Sequence, residues 1–175
     1  MKIDNKLSGF SLIEVLVTLV ILMTGLLGLA GLQGKALTSQ MESYQRSQAL
    51  ILIKDMADRI NTNREFSSSY ITTTPLGVGA AACTGGANTA IRDLCEWSNA
   101  LKGSAEGTST GAMIGARGCI YQVSAGAPQK YLIAIAWQGL SKSAAPAVDC
   151  GEGNYGDDEG LRRVITLPVT IGNLG

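Results

Sequence analysis

Gly9-Phe10-Ser11-Leu12-Ile13-Glu14-Val15-Leu16-Val17 opens an apolar run that continues to Leu32. From Val15 to Leu32 there are 18 residues without a charge. At 1.5 Å per residue that is about 27 Å of helix, close to the hydrocarbon thickness of a bilayer. Within the run from Phe10 the only ionisable side chain is Glu14. A carboxylate at the edge of hydrocarbon costs on the order of a few kcal/mol unless a partner neutralises it, so its position asks for a task.

Outward on the N-terminal side lies the hydrophilic leader Met1 to Gly9. The leader, the Gly9-Phe10 junction and Glu14 as the fifth residue from Phe10 together resemble the class III signal of type IV pilins and their relatives. In that family a membrane-bound prepilin peptidase cuts after the glycine on the cytoplasmic side and methylates the new amino terminus. The resemblance implies that Gly9 precedes the cut and that Phe10 becomes the N-methylated first residue. It also implies that Glu14 neutralises the terminal ammonium of a neighbouring subunit entering a filament. The electrostatics are consistent, because two opposite charges taken into a low-dielectric bundle are each costly alone and tolerable together. A conventional cleaved signal peptide would have an apolar region of about 7–15 residues, shorter than this one and without a glutamate inside it. A plain single-pass anchor accounts for the length and leaves Glu14 and the Gly-Phe junction unexplained.

The chain has 175 residues, or 166 without a nine-residue leader, which allows a long helix and one modest domain. Lys plus Arg and Asp plus Glu number 14 each, and removing Lys2, Lys6 and Asp4 leaves 12 against 13. That balance offers no basic patch for nucleic acid, and no nucleic-acid partner is expected. The absence of histidine excludes Ser-His-Asp and Cys-His catalysis and His-ligated zinc. No constellation of nucleophile, base and oxyanion donor is visible, so the reading is not an enzyme, and no cofactor is expected.

Cys83, Cys95, Cys119 and Cys150 all lie beyond the apolar run, and none forms a CxxC pair. An even number in a small loop-rich domain fits disulfides in an oxidising compartment. This places the C-terminal domain outside the cytoplasm, and the pilin resemblance implies a single span in the inner membrane with that domain in the periplasm before assembly. Lys2 and Lys6 on one flank are matched by Lys35 and Arg46 on the other, so orientation rests on the cysteines and the cleavage motif.

Beyond the run, Leu37, Met41, Tyr44, Gln48, Leu52, Met56 and Ile60 recur at steps of three and four, widened by Ala49 and Ile53. This spacing predicts one helix of about 50 residues, apolar all round over 10–32 and amphipathic over 33–64. Gly25, Gly28, Gly31 and Gly34 recur every third residue, each costing about 1 kcal/mol relative to alanine in a water-exposed helix. They fit close helix approach in lipid, a segment able to stretch in a filament, or the plain abundance of glycine in membrane helices. Gly25 to Gln33, Arg46-Ser-Gln-Ala49 and Lys54 to Arg64 resemble PilV-like minor pilins, also described as type IV pilus modification proteins. That finer resemblance covers the first 64 residues well and the rest loosely.

The remaining 65–175 read as an α+β domain. Residues 66–118 are rich in Ser, Thr, Gly and Ala and read as a long connection. Inside it, 88–101 forms a short helix capped by Asn88, with Ile91, Leu94 and Leu101 on its apolar side. Gly77-Val-Gly79-Ala-Ala-Ala82 matches GxGxxA formally, but no strand precedes it and no βαβ unit follows. Strand patterns follow at 118–123, 130–137 and 162–171, the first two joined across Gly126-Ala127-Pro128-Gln129. In the third, Ile165, Leu167, Val169 and Ile171 form a buried face, and Pro168 marks an edge or a bulge. The expected architecture is a small antiparallel sheet laid on the second half of the long helix, the type IV pilin fold.

Cys83 and Cys95, twelve apart, suit a staple between the short helix and the loop before it. Cys119 to Cys150 is then the complementary bond, although four cysteines allow three connectivities and the sequence does not choose among them. The loop from Gly139 to Gly160 gathers Asp149, Glu152, Asn154, Asp157, Asp158 and Glu159. Such oxygen ligands suit calcium, which some secretion pseudopilins carry in this region, but the spacing matches no EF-hand, so no metal is assigned.

The functional expectation is a structural subunit: a minor pilin that helps initiate or modulate assembly of a type IV pilus, with twitching motility and adhesion as the associated activities. Its partners would be the prepilin peptidase, other major and minor pilins, the assembly platform and the membrane. After assembly it would lie in the pilus at the cell surface. The nearest rival is a minor pseudopilin of a type II secretion system. A further alternative is a pilus-borne adhesin or DNA-uptake pilin using Trp97, Tyr155 and Arg162-Arg163.

Overall fold

A computed structural model describes residues 9–79, 83, 88–103, 113–157 and 159–172. Along the chain run helix α1 (Leu12–Thr62), a 3-10 helix (Arg64–Tyr70), helix α2 (Thr89–Leu101) and strands β1 (Ile114–Ser124), β2 (Gln129–Gln138) and β3 (Arg162–Ile171). The chain divides into two compact units, 1–41 and 42–175, with the boundary inside α1.

Among its described residues the first unit is helix from Leu12 onward. Every described residue in it is exposed. The hydroxyls of Thr18, Thr24 and Thr38 donate to carbonyls three or four residues back, at 2.8–3.2 Å. This internal bonding is how a helix carries threonine through an apolar surface without leaving a donor unpaired. α1 is long and apolar enough to cross a membrane by length and composition.

The second unit is a layered α+β domain. The sheet is antiparallel in the order β1-β2-β3, which makes β3, with its Pro168, an edge strand. The β2–β3 register runs unbroken from Gln129 opposite Ile171 to Gln138 opposite Arg162. The β1–β2 ladder is irregular between Ile114 and Arg117 and between Gln122 and Ser124. From α1, Ala49, Ile53, Met56 and Ile60 enter one core with Ile120, Tyr131, Ile133, Ile135, Val169 and Ile171. The long helix thus packs on the small three-stranded sheet, and the alternation along each strand decides which side chains meet it.

The other face of the sheet is covered too. Ala134, Ala136 and Cys119 meet Cys150 and Tyr155 in a second, smaller cluster, flanked by Tyr121, Val148 and Val164. The β2–β3 connection therefore lays Cys150 and Tyr155 on this face, while most of its described residues stay exposed.

Several expectations need correction. α1 stops at Thr62, and Arg64 begins a 3-10 helix that the Ser-rich composition of 66–69 concealed. β1 begins at Ile114, earlier than the apolar pattern, because the bulge near Gly115 breaks the alternation there. On α2 the buried residues are Ala90, Asp93, Trp97, Ser98 and Leu101, whereas Ile91 is exposed. Trp97, with the largest side chain on the helix, sets its rotation and carries Ile91 outward. The Asn88 side chain accepts from the Ile91 amide at 2.9 Å, as an N-cap does. Residues 80–82 of the GxGxxA match lie outside the described residues.

Candidate assembly site

The first unit carries the assembly motif, and the second carries a set of polar clamps of its own. In the first, the helix starts where the amides of Glu14 and Val15 donate to the Ser11 carbonyl at 3.0 and 3.3 Å. Glu14 lies in this first turn, where the partial positive charge of a helix N-terminus favours an anion. Phe10 is 84% exposed, and Leu12, Ile13, Val15, Leu16 and Val17 surround Glu14 with exposed apolar side chains. Among the described residues no cation of this chain pairs with Glu14. A Cβ built on Gly25, Gly28, Gly31 or Gly34 meets nothing within 4 Å, so packing inside the chain does not require those glycines. Residues 1–8 of the leader lie outside the described residues.

The second unit is held by polar clamps that the sequence does not display. Arg59, near the end of α1, reaches Asp55 at 3.0 Å, Asp93 at 3.1 Å and Glu96 at 2.7 Å. Burial works against its charge, but the bond to Glu96 and the charges of Asp55 and Asp93 outweigh it, and its pKa rises. The Tyr70 hydroxyl donates to Asp93 at 2.5 Å and accepts from Asn63 at 3.2 Å. Burial, then the Asp93 bond, pushes the Tyr70 hydroxyl up to about 12. This network ties α1, the 3-10 helix and α2 together.

Trp97 is fully buried, and its indole N–H donates to the Leu52 carbonyl on α1 at 2.9 Å. Its ring lies against Gly118, where an added Cβ would come within 2.4 Å of it. At the start of the second unit, one Glu42 carboxylate oxygen accepts from the Ser141 hydroxyl at 2.7 Å and from the Ser141 and Leu140 amides at 3.1 and 3.3 Å. Arg163 approaches the same oxygen at 3.5 Å. The Ser141 hydroxyl bond is the main cause that holds the Glu42 carboxyl below the usual range.

Disulfides join Cys83 to Cys95 and Cys119 to Cys150. The acidic loop residues do not converge. Glu159 binds Arg162 and accepts from the Gly153 amide at 2.6 Å, and Asp158 lies outside the described residues. Among the described residues, no group of three His, Cys, Asp or Glu side chains is placed to hold a metal ion. Trp97, Tyr155 and Arg162, weighed above as surface ligand groups, are all at least 96% buried. Arg163 is engaged with Glu42, Ser141 and Ser143.

The sequence reading missed Glu42 and Arg59 as organisers. Arg59 carried one local signal, its spacing of four from Asp55 on a helix face, but Asp93 and Glu96 lie more than 30 residues away.

Residues 4–30 match the family model of the prokaryotic N-terminal methylation motif. Residues 31–100 match that of the Tt1218-like family, described as type IV pilin Tt1218. No curated protein and no solved structure matches the chain. The methylation motif implies processing by the prepilin peptidase and assembly with other pilins, and it fits a membrane-anchored subunit that later lies in the pilus. The two matches abut and fall on the long apolar helix, the 3-10 helix and most of α2: over residues 4–100 the chain is similar to type IV pilins.

Proposed function

We propose that this chain is a minor pilin of the PilV-like kind, cut after Gly9, N-methylated at Phe10, and used to initiate or modulate assembly of a type IV pilus. The observation that carries the reading is the coincidence of the methylation motif with a helical surface whose single carboxylate is Glu14 and whose apolar side chains are all exposed. In lipid the apolar side chains of that surface need no partner. On leaving lipid, residues 10–32 pack against like helices, and Glu14 takes the ammonium of a neighbour's processed terminus. Charge neutralisation lets both groups enter a dry bundle that neither enters alone. The leader would end at Gly9, and the disulfide-bonded domain would face the periplasm and then the pilus exterior.

The test is intact-mass and N-terminal analysis of the membrane-extracted protein from cells with and without the prepilin peptidase. The expected species begins at Phe10 with one added methyl, only when the peptidase is present. A chain that begins at Met1 in both strains removes the reading. Deleting the gene then separates two uses of the same signal: loss of pili supports the pilus role, and loss of protein secretion assigns the chain to a type II system.

A further inference from the structure

Arg162, the first residue of β3, is 3% exposed and is the most deeply buried charge among the described residues. Its guanidinium is the hub of the β2–β3 connection. It pairs with Glu159 and donates to the carbonyls of Val148, of Cys150 at 3.2 Å and of Pro146 at 3.2 Å. Glu159 also accepts from the Gly153 amide, so one ion pair spans the connection from residue 146 to residue 159. Further bonds close the same segment without either sulfur: Gly139 N–H to Leu161 O at 2.7 Å, Ser143 N–H to Gly160 O at 2.8 Å, and the Tyr155 hydroxyl to Gly115 O at 2.7 Å. Tyr155 is 4% exposed and packs on Ala134 and Ala136.

The acceptors of Arg162 include the carbonyl of Cys150 itself and that of Val148, two residues before it. Its fork therefore holds the backbone that carries one cysteine of the pair, over the strand that carries the other. We infer that Arg162 is a positioning residue that assembles segment 139–161 on the sheet before the Cys119–Cys150 bond forms, and so selects that pairing from the three that four cysteines allow.

The covalent step needs a disulfide oxidant, and oxidised glutathione supplies it in the test. One cysteine thiolate attacks glutathione disulfide, giving a mixed disulfide and one reduced glutathione. The second cysteine then displaces the remaining glutathione as a thiol. Two cysteine thiols and one glutathione disulfide become one protein disulfide and two glutathione thiols, each carrying one of the two protons. Arg162 takes no part in the chemistry and acts only by placing Cys150.

Two measurements on the full chain in detergent test this. In a Cys119→Ser/Cys150→Ser variant, the amides of Gly139, Ser143, Gly153 and Arg162 retain hydrogen-exchange protection within about tenfold of the oxidised wild type. Exchange at the unstructured rate would overturn the inference, because the segment would then depend on the bond. In Arg162→Gln, oxidised from the reduced state, peptide mapping gives a yield of Cys119–Cys150 relative to Cys83–Cys95 that falls about tenfold, the factor for one lost charge-assisted hydrogen bond. Cys83–Cys95, which Arg162 does not touch, is the internal control. An unchanged ratio overturns the inference. If Arg162→Gln loses both bonds together, the double-serine exchange result decides it in either direction.

Discussion

Residues 9–41 and residues 42–172 solve opposite problems with one continuous helix. In the first unit no described side chain is buried, and Val15 through Leu32 present apolar surface on every side. In the second, the same helix turns one face inward at Ala49, Ile53, Met56 and Ile60 and leaves Lys54 and Asp58 outside. The first unit relies on its surroundings for stability, lipid or other helices, while the second supplies its own. Substitutions in the first are therefore expected to alter assembly and leave domain stability alone, and substitutions in the second to do the reverse.

The largest effect expected is Glu14→Ala. Cleavage proceeds, but incorporation into filaments falls on the order of a thousandfold or more, the cost of leaving a partner's ammonium unpaired in a dry bundle. Thermal unfolding of the domain stays within about 0.5 kcal/mol of the wild type. Normal incorporation of this variant would break the comparison at its first unit.

Next comes Trp97→Ala, which empties the contact between α2 and Gly118 and removes the donor to the Leu52 carbonyl. Its cost in denaturant unfolding is about 3–5 kcal/mol, with processing at Gly9 unaffected. Arg59→Met follows. It leaves Asp55, Asp93 and Glu96 facing one another without their cation, at about 1–3 kcal/mol given that the arginine is partly exposed. Raising salt reduces that penalty, since screening weakens the repulsion among the carboxylates.

The smallest effects are in pH dependence. Glu42 has a folded pKa below its ordinary 4.5, so it contributes stability above about 4.5 that is lost as pH falls through the lower folded value. Glu42→Gln removes that component, and its acid unfolding curve is flatter below pH 4.5 than the wild type's. Tyr70 has the opposite sign: its pKa is raised to about 12, so folding binds a proton that the unfolded chain releases near 10. Stability falls between pH 10 and 12, and Tyr70→Phe flattens that fall. If acid and alkaline melting were the same in both variants, the clamps would be ornaments on a domain held by its apolar core alone.

The difference between the units also explains what could be read without coordinates. The long helix, α2 with its Asn88 cap, and the three strands are periodic over short windows, and periodicity of apolar residues is a local signal. The 3-10 helix at Arg64–Tyr70 has no such period, and its buried residues are Ser67 and Tyr70, which composition assigns to a loop. On α2 Leu101 is buried as its spacing suggests, but the indole of Trp97 against Gly118, a contact between distant segments, takes the buried place expected for Ile91. The acidic cluster at 149–159 suits calcium by ligand type but not by spacing, and sequence records charge but not partner. Glu159 faces Arg162 and the Gly153 amide instead.

From sequence alone follow the uninterrupted apolar span, the Gly9-Phe10 junction with Glu14 behind it, the extent of the helix, and the order helix then sheet. These depend on the spacing of neighbours along the chain. The tertiary structure decided that Cys150 and Tyr155 of the β2–β3 connection cover one face of the sheet, that Arg59 and Arg162 are hubs, and that Trp97 faces inward. Each of those depends on groups brought together from distant segments, where one buried hydrogen bond or one ring against a glycine outweighs any local preference of the residues concerned.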